Sequence, residues 1–287
     1  MQNNLLKVKN LKVTYGKKKK QVILFDSFNY EFAKDNVYFI LGKTGVGKST
    51  LVSYFNGLRK SKTGDIFIKD SAILSSERKI KDYKEIRKII QLVFQFPEKQ
   101  IFKSTVLADA SFGPENLGFS KDKAKALAIE YLNKLGINDS LFQVSPLTLS
   151  SGQKRRIAIA GILAITPDIF IFDEPTVSLD PQAVNEMIDI IKSLKKQHKT
   201  IIVISHNTNL ALELADEVLI LHNKQVISSN NVYELFNDNK VLSTTKLATP
   251  NIIETINKLG NSSLHKMQPR TIDELADIIN SYMKGGK

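Results

Sequence analysis

Apolar residues recur along this chain with two different periods. In "LLKVKNLKVTY", Leu5 to Tyr15, apolar positions alternate with polar or charged ones, which predicts a half-buried strand. Three shorter runs do not alternate. "NVYFIL" (Asn36 to Leu41), "DIFIFDE" (Asp168 to Glu174) and "TIIVISH" (Thr200 to His206) are apolar almost throughout and rich in β-branched and aromatic residues. A strand with no polar face predicts burial on both faces. The first of these runs passes through a glycine-rich loop into a helical pattern, "STLVSYFNGL". Strands alternating with helices predict a parallel sheet covered on both sides.

The middle of the chain follows a different pattern. From about Pro97 to Ile165 the pattern is one of helices and loops with no clear strand. In "SKDKAKALAIEYLNKLG", Ser120 is placed as an N-cap and Gly136 as a C-terminal stop, and Leu127, Ala128, Tyr131, Leu132 and Leu135 share one face. This predicts a helical insertion in an α/β core. Beyond Lys240, "TPNIIETINKLG" and "TIDELADIINSYM" predict short amphipathic helices, the second with Thr271 and Glu274 at capping-box spacing. The expected division is a domain over residues 1–240, with its helical subdomain at about 97–165, and a helical extension over 241–287. No internal repeat and no low-complexity linker interrupts it.

Composition narrows the class. With 287 residues, 42% of them hydrophobic and 24% charged, the chain has ordinary globular composition and length for a sizeable core. No apolar run reaches about 18 residues, so no membrane-spanning helix is expected, and the start "MQNNLLKVKN" lacks the apolar stretch of a secretion signal. The chain has no cysteine, which removes disulfides and thiolate metal sites from consideration, and it reads as intracellular. Lysine and arginine number 41 against 29 acidic residues, a net charge of +12. Nucleic acid and anionic membrane are the partners such a charge raises. The basic residues are mostly scattered, which reads instead as solvated faces. The one dense run, Lys17 to Lys20, lies between strand-like segments and predicts an exposed hairpin tip.

The candidate chemistry begins at "GKTGVGKST", Gly42 to Thr50, which fits the phosphate-loop pattern G-x-x-x-x-G-K-[ST]. Its backbone N–H groups curl around a β-phosphate, Lys48 reaches the β- and γ-phosphates, and the Ser49 hydroxyl ligates Mg²⁺. By average residue usage the pattern arises by chance in on the order of 1% of chains this long. The strand before the loop and the helix after it make a coincidental glycine turn a poor account. "IFIFDEP" ends an apolar strand in two carboxylates. Asp173 is placed to hold Mg²⁺ through water and Glu174 to polarise the attacking water. An isolated acidic pair at a strand end is ordinarily just solvated, but here it accompanies a phosphate loop. His206 falls at another strand's C-terminal end, the edge where open α/β sheets bind ligands. It is assigned to the γ-phosphate. Gln95, in "VFQFPEKQIF", is either an ordinary turn residue or a neutral ligand to Mg²⁺ and the attacking water.

"LSSGQKRR", Leu149 to Arg156, sets a small polar run before an apolar helical one and so offers a second anion site at a helix start. With this run the chain resembles the nucleotide-binding subunits of ABC transporters. The family order is aromatic A-loop, phosphate loop, Q-loop, signature, Walker B, D-loop and H-loop. Here these are Tyr15, Gly42 to Thr50, Gln95, "LSSGQ", "IFIFDE", "SLD" at Ser178 to Asp180, and His206, over nearly all of residues 5–240. The resemblance implies a P-loop NTPase core of ABC type with an antiparallel β subdomain, an inserted helical subdomain and a small C-terminal helical extension. It implies ATP with Mg²⁺. Nucleotide contacts fall to Tyr15, Gly42, Lys43, Thr44, Gly45, Val46, Gly47, Lys48, Ser49, Thr50, Ser150, Ser151, Gly152, Gln153 and Asp180. Ser49, Gln95 and Asp173 fall to the metal, and Glu174, His206 and Gln95 to catalysis. In this family two subunits pair head to tail, and each signature closes on the other's γ-phosphate. Where the family usually has a second glycine, this chain has Ser151.

Longer matches are finer. "VFQFPEKQIF", "FGPENLGFS" and "SPLTLSSGQKRRIAIAGILA" are similar to the ATPases of energy-coupling factor (ECF) vitamin transporters, in the manner of the second of two paired ATPase types. This implies a distinct ATPase paralogue as partner, together with an integral membrane coupling subunit and a substrate-binding membrane subunit. It also implies a peripheral place on the cytoplasmic side of the cell membrane, with no nucleic acid as partner. Phe96, Ile101 and Phe102 would shape the groove for the coupling helices, or else serve as core of the insertion. The alternatives are an ATPase of a cobalt or nickel importer of the same lineage and a soluble ABC ATPase acting on nucleic acid or ribosomes. A non-catalytic regulatory subunit would lack Lys48, Glu174 or His206, and all are present.

Overall fold

A computed structural model describes residues 4–16, 21–60, 63–69, 71–74, 83–260 and 262–285; the lysine run at 17–20 lies outside them. β1 (Asn4–Tyr15) and β2 (Val22–Ala33) form a long antiparallel pair, and β3 (Val37–Leu41) leads into α1 (Lys48–Phe55). β4 (Asp65–Ile68) and β5 (Ser71–Leu74) complete a four-stranded antiparallel sheet in the order β2-β1-β4-β5. Then come α2 (Tyr83–Ile89), β6 (Ile90–Val93), α3 (Val106–Asn116), α4 (Lys121–Lys134) and α5 (Ser151–Leu163). They are followed by β7 (Ile169–Asp173), α6 (Pro181–Lys196), β8 (Thr200–Ile204), α7 (Thr208–Leu214), β9 (Glu217–His222) and β10 (Gln225–Ser229). The chain continues through α8 (Val232–Asn237), α9 (Asn239–Thr245), α10 (Asn251–Leu259), α11 (Ser262–Lys266) and α12 (Ile272–Gly285).

The second sheet is six-stranded, in the order β10-β9-β3-β8-β7-β6, parallel except for the β9–β10 hairpin. Its middle strands explain their unbroken apolar runs. Val37, Phe39 and Leu41 face one core, while Tyr38 and Ile40 face the other. Likewise Phe170 and Phe172 oppose Ile169 and Ile171 across β7. The Tyr38 face meets the antiparallel sheet through an aromatic cluster: Phe32 lies 4.9 Å from Tyr38 and 5.7 Å from Phe55, both edge-on. The Phe39 face meets the helices.

The insertion is helical, as the pattern predicts. The Ser120 hydroxyl accepts from Lys123 N–H, and Gly136 takes a positive φ just past α4. Ala128, Tyr131 and Leu132 are buried, with Leu127 and Leu135 packed beside them. Strands that the patterning does not single out are β4, β5, β6, β9 and β10. Of these β6 matters most, because it carries Gln95 to the parallel sheet's edge.

The 240/241 division falls within α9, and Ile252, Ile253 and Ile256 of α10 pack into the same core as the central sheet. Arg270 Nη1 donates to Ala215 O at 2.8 Å, a tie between the last helices and the end of α7. The capping box at α12 closes differently from its spacing. Thr271 accepts from Glu274 N–H, but the Glu274 carboxylate takes the N–H of Arg270, one residue earlier, at 2.7 Å. Among the described residues no helix is long and apolar enough to cross a membrane.

Candidate active site

The register of the parallel sheet assembles the site. Asp173 of β7 pairs with Ile204 of β8, and Ile40 of β3 pairs with Ile204 on its other side. The loops leaving these three strands therefore start at one edge. Glu174 N–H donates to Ile204 O at 2.9 Å, which holds the residue after β7 against the end of β8. Glu174 sits at φ +48, left-handed for a residue with a side chain. A cavity of about 650 Å³ lies at this edge, lined by Tyr15, Lys48, Ser49, Gln95, Glu174 and His206 among others.

The phosphate loop is shaped for an anion. Gly42 has φ +149, and a β-carbon there would stand 2.7 Å from Leu221 O, a backbone atom that cannot yield. Gly47 precedes α1 at φ +108, and no side chain caps the helix. The first N–H groups of α1 thus face the cavity without a side-chain acceptor. Lys48 is buried and donates to Gly42 O at 2.6 Å and Lys43 O at 3.3 Å; its ammonium is 3.8 Å from Glu174 Oε1. Burial holds the Lys48 ammonium below the usual lysine range, and the carboxylates of Glu174 and Asp173 oppose that shift. A desolvated cation on an uncapped helix start suits a polyphosphate.

The Ser49 hydroxyl donates to Asp173 Oδ1 at 3.0 Å. Burial raises the Asp173 carboxyl, against the lowering effect of that hydroxyl. Hard oxygen donors set this close suit Mg²⁺, with Gln95 on the same cavity wall; phosphate and water would complete the shell. His206 Nδ1 lies 3.0 Å from Glu174 Oε2, so one carboxylate faces Lys48 with one oxygen and His206 with the other. Tyr15 stands at the rim, 57% exposed, with the Arg59 guanidinium 5.7 Å from its ring centre.

The other proposed nucleotide contacts lie elsewhere. Ser150 caps α5 in a full capping box with Gln153, and Ser151 and Gly152 are exposed. Ser151 and Gly152 line a second cavity of about 240 Å³ with Ser178, Leu179 and Asp180. Asp180 caps α6, its Oδ1 accepting from Ala183 N–H at 2.9 Å. The first cavity contains none of these residues. Phe102 is 63% exposed and packs edge-on against Phe112 at 4.9 Å, while Ile101 packs against the core.

Sequence reasoning passed over Arg155 and Glu98, both at the second cavity, and Leu24 and Val177 at the first. The usable signal for Arg155 was a cation at a position where an apolar helix turns inward.

The model of the family described as ABC transporter matches residues 25–177. An energy-coupling factor transporter ATP-binding protein, EcfA2, of Mycoplasma pneumoniae is 46% identical over 98% of this chain and 95% of its own length. CbiO1 of Clostridium perfringens, part of the CbiONQ ABC transporter complex, superposes with a TM-score of 0.71 at 32% identity, covering 89% of this chain and 99% of that one. A dimeric ATP-binding cassette bound to ADP and Pi superposes at 0.68 with 24% identity over 78% of this chain and 98% of its own, a likeness of fold.

Proposed function

This chain belongs to the ABC transporter family, among the energy-coupling factor ATP-binding proteins of the second type, and from that membership we propose how it works. It binds ATP and hydrolyses it to power an ECF-type importer that takes up vitamins or other micronutrients. The observation that carries the catalytic reading is the convergence of Lys48, Ser49, Asp173, Glu174 and His206 on one cavity at one sheet edge. Lys48 and the loop N–H groups bind the phosphates, and the Tyr15 ring covers the base. Glu174 accepts a proton from the attacking water. His206 orients that carboxylate and contacts the γ-phosphate. Ser49 and Asp173, with Gln95, would hold Mg²⁺, which would supply charge neutralisation at the phosphate oxygens. Gln95, on the cavity wall, is a neutral partner for the attacking water.

The separation of Ser150 to Gln153 from Lys48 supports head-to-tail pairing, in which this signature serves the partner's nucleotide. The partner is a paralogous ATPase, and both sit on the cytoplasmic side of the cell membrane against integral subunits. The near full-length likeness to the EcfA2 relatives favours this over a cobalt or nickel importer. A DNA-directed ABC ATPase needs a long inserted coiled coil; the longest helix here between the phosphate loop and Leu149 is α4, of 14 residues, among those described.

Purification from membranes in mild detergent tests the assembly. The chain is expected to bring down a second ATPase and an integral subunit. Protein-free anionic vesicles should not hold it. Tight vesicle binding lost on neutralising Lys17 to Lys20 would replace this account with direct lipid attachment.

Ser151 gives a finer prediction. It is exposed at the first position of α5, and a β-carbon on neighbouring Gly152 would meet nothing within 4 Å. Where the family usually has glycine, the Ser151 side chain either crowds the partner's γ-phosphate, the reading taken here, or donates its hydroxyl to it. With Glu174→Gln silencing this chain's own site, Ser151→Gly is expected to speed turnover a few-fold. Slowing equivalent to one charge-assisted hydrogen bond, roughly 1.5–3 kcal/mol, would show that the hydroxyl donates to the phosphate. No change would mean that Ser151 points away from it.

A further inference from the structure

Arg155 lies one helical turn beyond Ser151 on α5, behind the exposed start of that helix. Its Nη2 donates to Pro175 O at 2.7 Å, and Pro175 directly follows Glu174. The turn that it grips carries two left-handed residues, Glu174 at φ +48 and Ser178 at φ +61. Such a backbone persists only when its surroundings hold it. Arg155 Nε is buried and has no hydrogen-bond partner. Glu98 Oε2, on the segment just after Gln95, is also buried and without a partner. Both residues line the 240 Å³ cavity together with Ser151 and Asp180. Glu98 is the carboxylate that sustains the charge of Arg155 against burial.

Arg156 Nε, on the same cavity, is likewise buried without a partner. An unmatched buried N–H and an unmatched buried carboxylate oxygen lining one cavity are costly. The cost is recovered in an arrangement where they meet. Four segments border this gap: the loop at Phe96 to Glu98, the first half of α5, the turn at Ser178 to Asp180, and α6 through Ala183, Glu186, Met187 and Ile190. A small inward movement of the first would close it.

We propose that Arg155 is a positioning residue that links the two ATP sites of the dimer. It ties the signature helix, which serves the partner's nucleotide, to the Glu174 turn, which serves this chain's own. Glu98 becomes its second anchor when the Gln95 loop moves in. Closure of the signature is thereby transmitted to the Glu174 carboxylate. This rests on the reading of function given above.

The test uses the assembled transporter, with the partner ATPase's catalytic carboxylate replaced by its amide so that turnover reports the Lys48 and Glu174 site. Arg155→Met keeps length but removes charge and donor. It should lower kcat by about tenfold or more and leave KM for ATP within about twofold, since the nucleotide contacts are untouched. Arg155→Lys should recover part of the loss, because an ammonium can still donate to Pro175 O. Glu98→Gln should lower kcat in the same direction, and the double variant Glu98→Gln, Arg155→Met should fall no further than Arg155→Met alone. A merely structural pair would lower Tm without separating kcat from KM, and two independent residues would act additively. Unchanged kcat in Arg155→Met, or additive losses, would overturn the proposal. Should Arg155→Met fail to assemble, Glu98→Gln decides alone, and wild-type kcat in it is the overturning result. If the Arg155 and Glu98 complex with native sequence hydrolyses no ATP, it is the functional reading that fails instead.

Discussion

Glu174→Gln is expected to leave ATP binding intact and to lower turnover of the assembled complex by about 10²–10⁴-fold, the range for loss of a general base. Glutamine has the shape of glutamate, so the strained turn at φ +48 and the hydrogen bond from its N–H to Ile204 O survive. An amide oxygen can still accept from His206, 3.0 Å away in the native site. The change removes the negative charge that would draw a proton from water. Binding should persist, because Lys48 and the loop N–H groups hold the phosphates and no step of binding requires Glu174. The variant should therefore accumulate as the ATP-bound dimer, seen as ATP-dependent association without phosphate release. Near wild-type phosphate release would remove Glu174 from its role.

Lys48→Ala is expected to act at the earlier step. The ammonium is buried, and its charge is what the phosphates would meet in a low-dielectric cavity. Truncating one partner of a buried charge pair costs about 2–5 kcal/mol, or from about 30-fold to several thousand-fold in nucleotide affinity. The chain without nucleotide should change much less. It loses two backbone hydrogen bonds, to Gly42 O and Lys43 O, but also sheds a cation that burial already disfavours. Thermal melting separates the two effects. Native chain at ATP about 100-fold above its Kd gains about 2.7 kcal/mol from ligand binding, and at the same ATP the variant should keep at most about 0.9 kcal/mol of it, with a correspondingly smaller rise in Tm. A full ATP-dependent rise would show that the loop N–H groups alone hold the nucleotide.

The sequence by itself singled out most of the polar side chains that line the first cavity. Glycines at 42 and 47 followed by Lys48 and Ser49 have few other physical uses, and an apolar run ending in Asp173 and Glu174 places carboxylates at a sheet edge whatever the strand order. It also determined three of the central strands, β3, β7 and β8, because strands covered on both faces are apolar without alternation; β9, equally covered, was not read from it. Helix starts were legible where a hydroxyl precedes the apolar period, at Ser120 and Ser150. The short strands β4, β5 and β6 were not, since four residues carry too little periodicity to separate strand from loop.

Tertiary structure decided the rest. Strand order put β8 between β3 and β7, and so brought His206 to Glu174, 32 residues away. The packing of α5 against the turn after β7 matched Arg155 with Pro175 O, 20 residues away, a contact without any local pattern. The same packing set Ser151 and Asp180 on a cavity apart from Lys48. Periodicity reports only which face of an element is buried. Which elements meet across that face, and which polar groups are thereby left unmatched, depends on the sum of contacts over the whole chain.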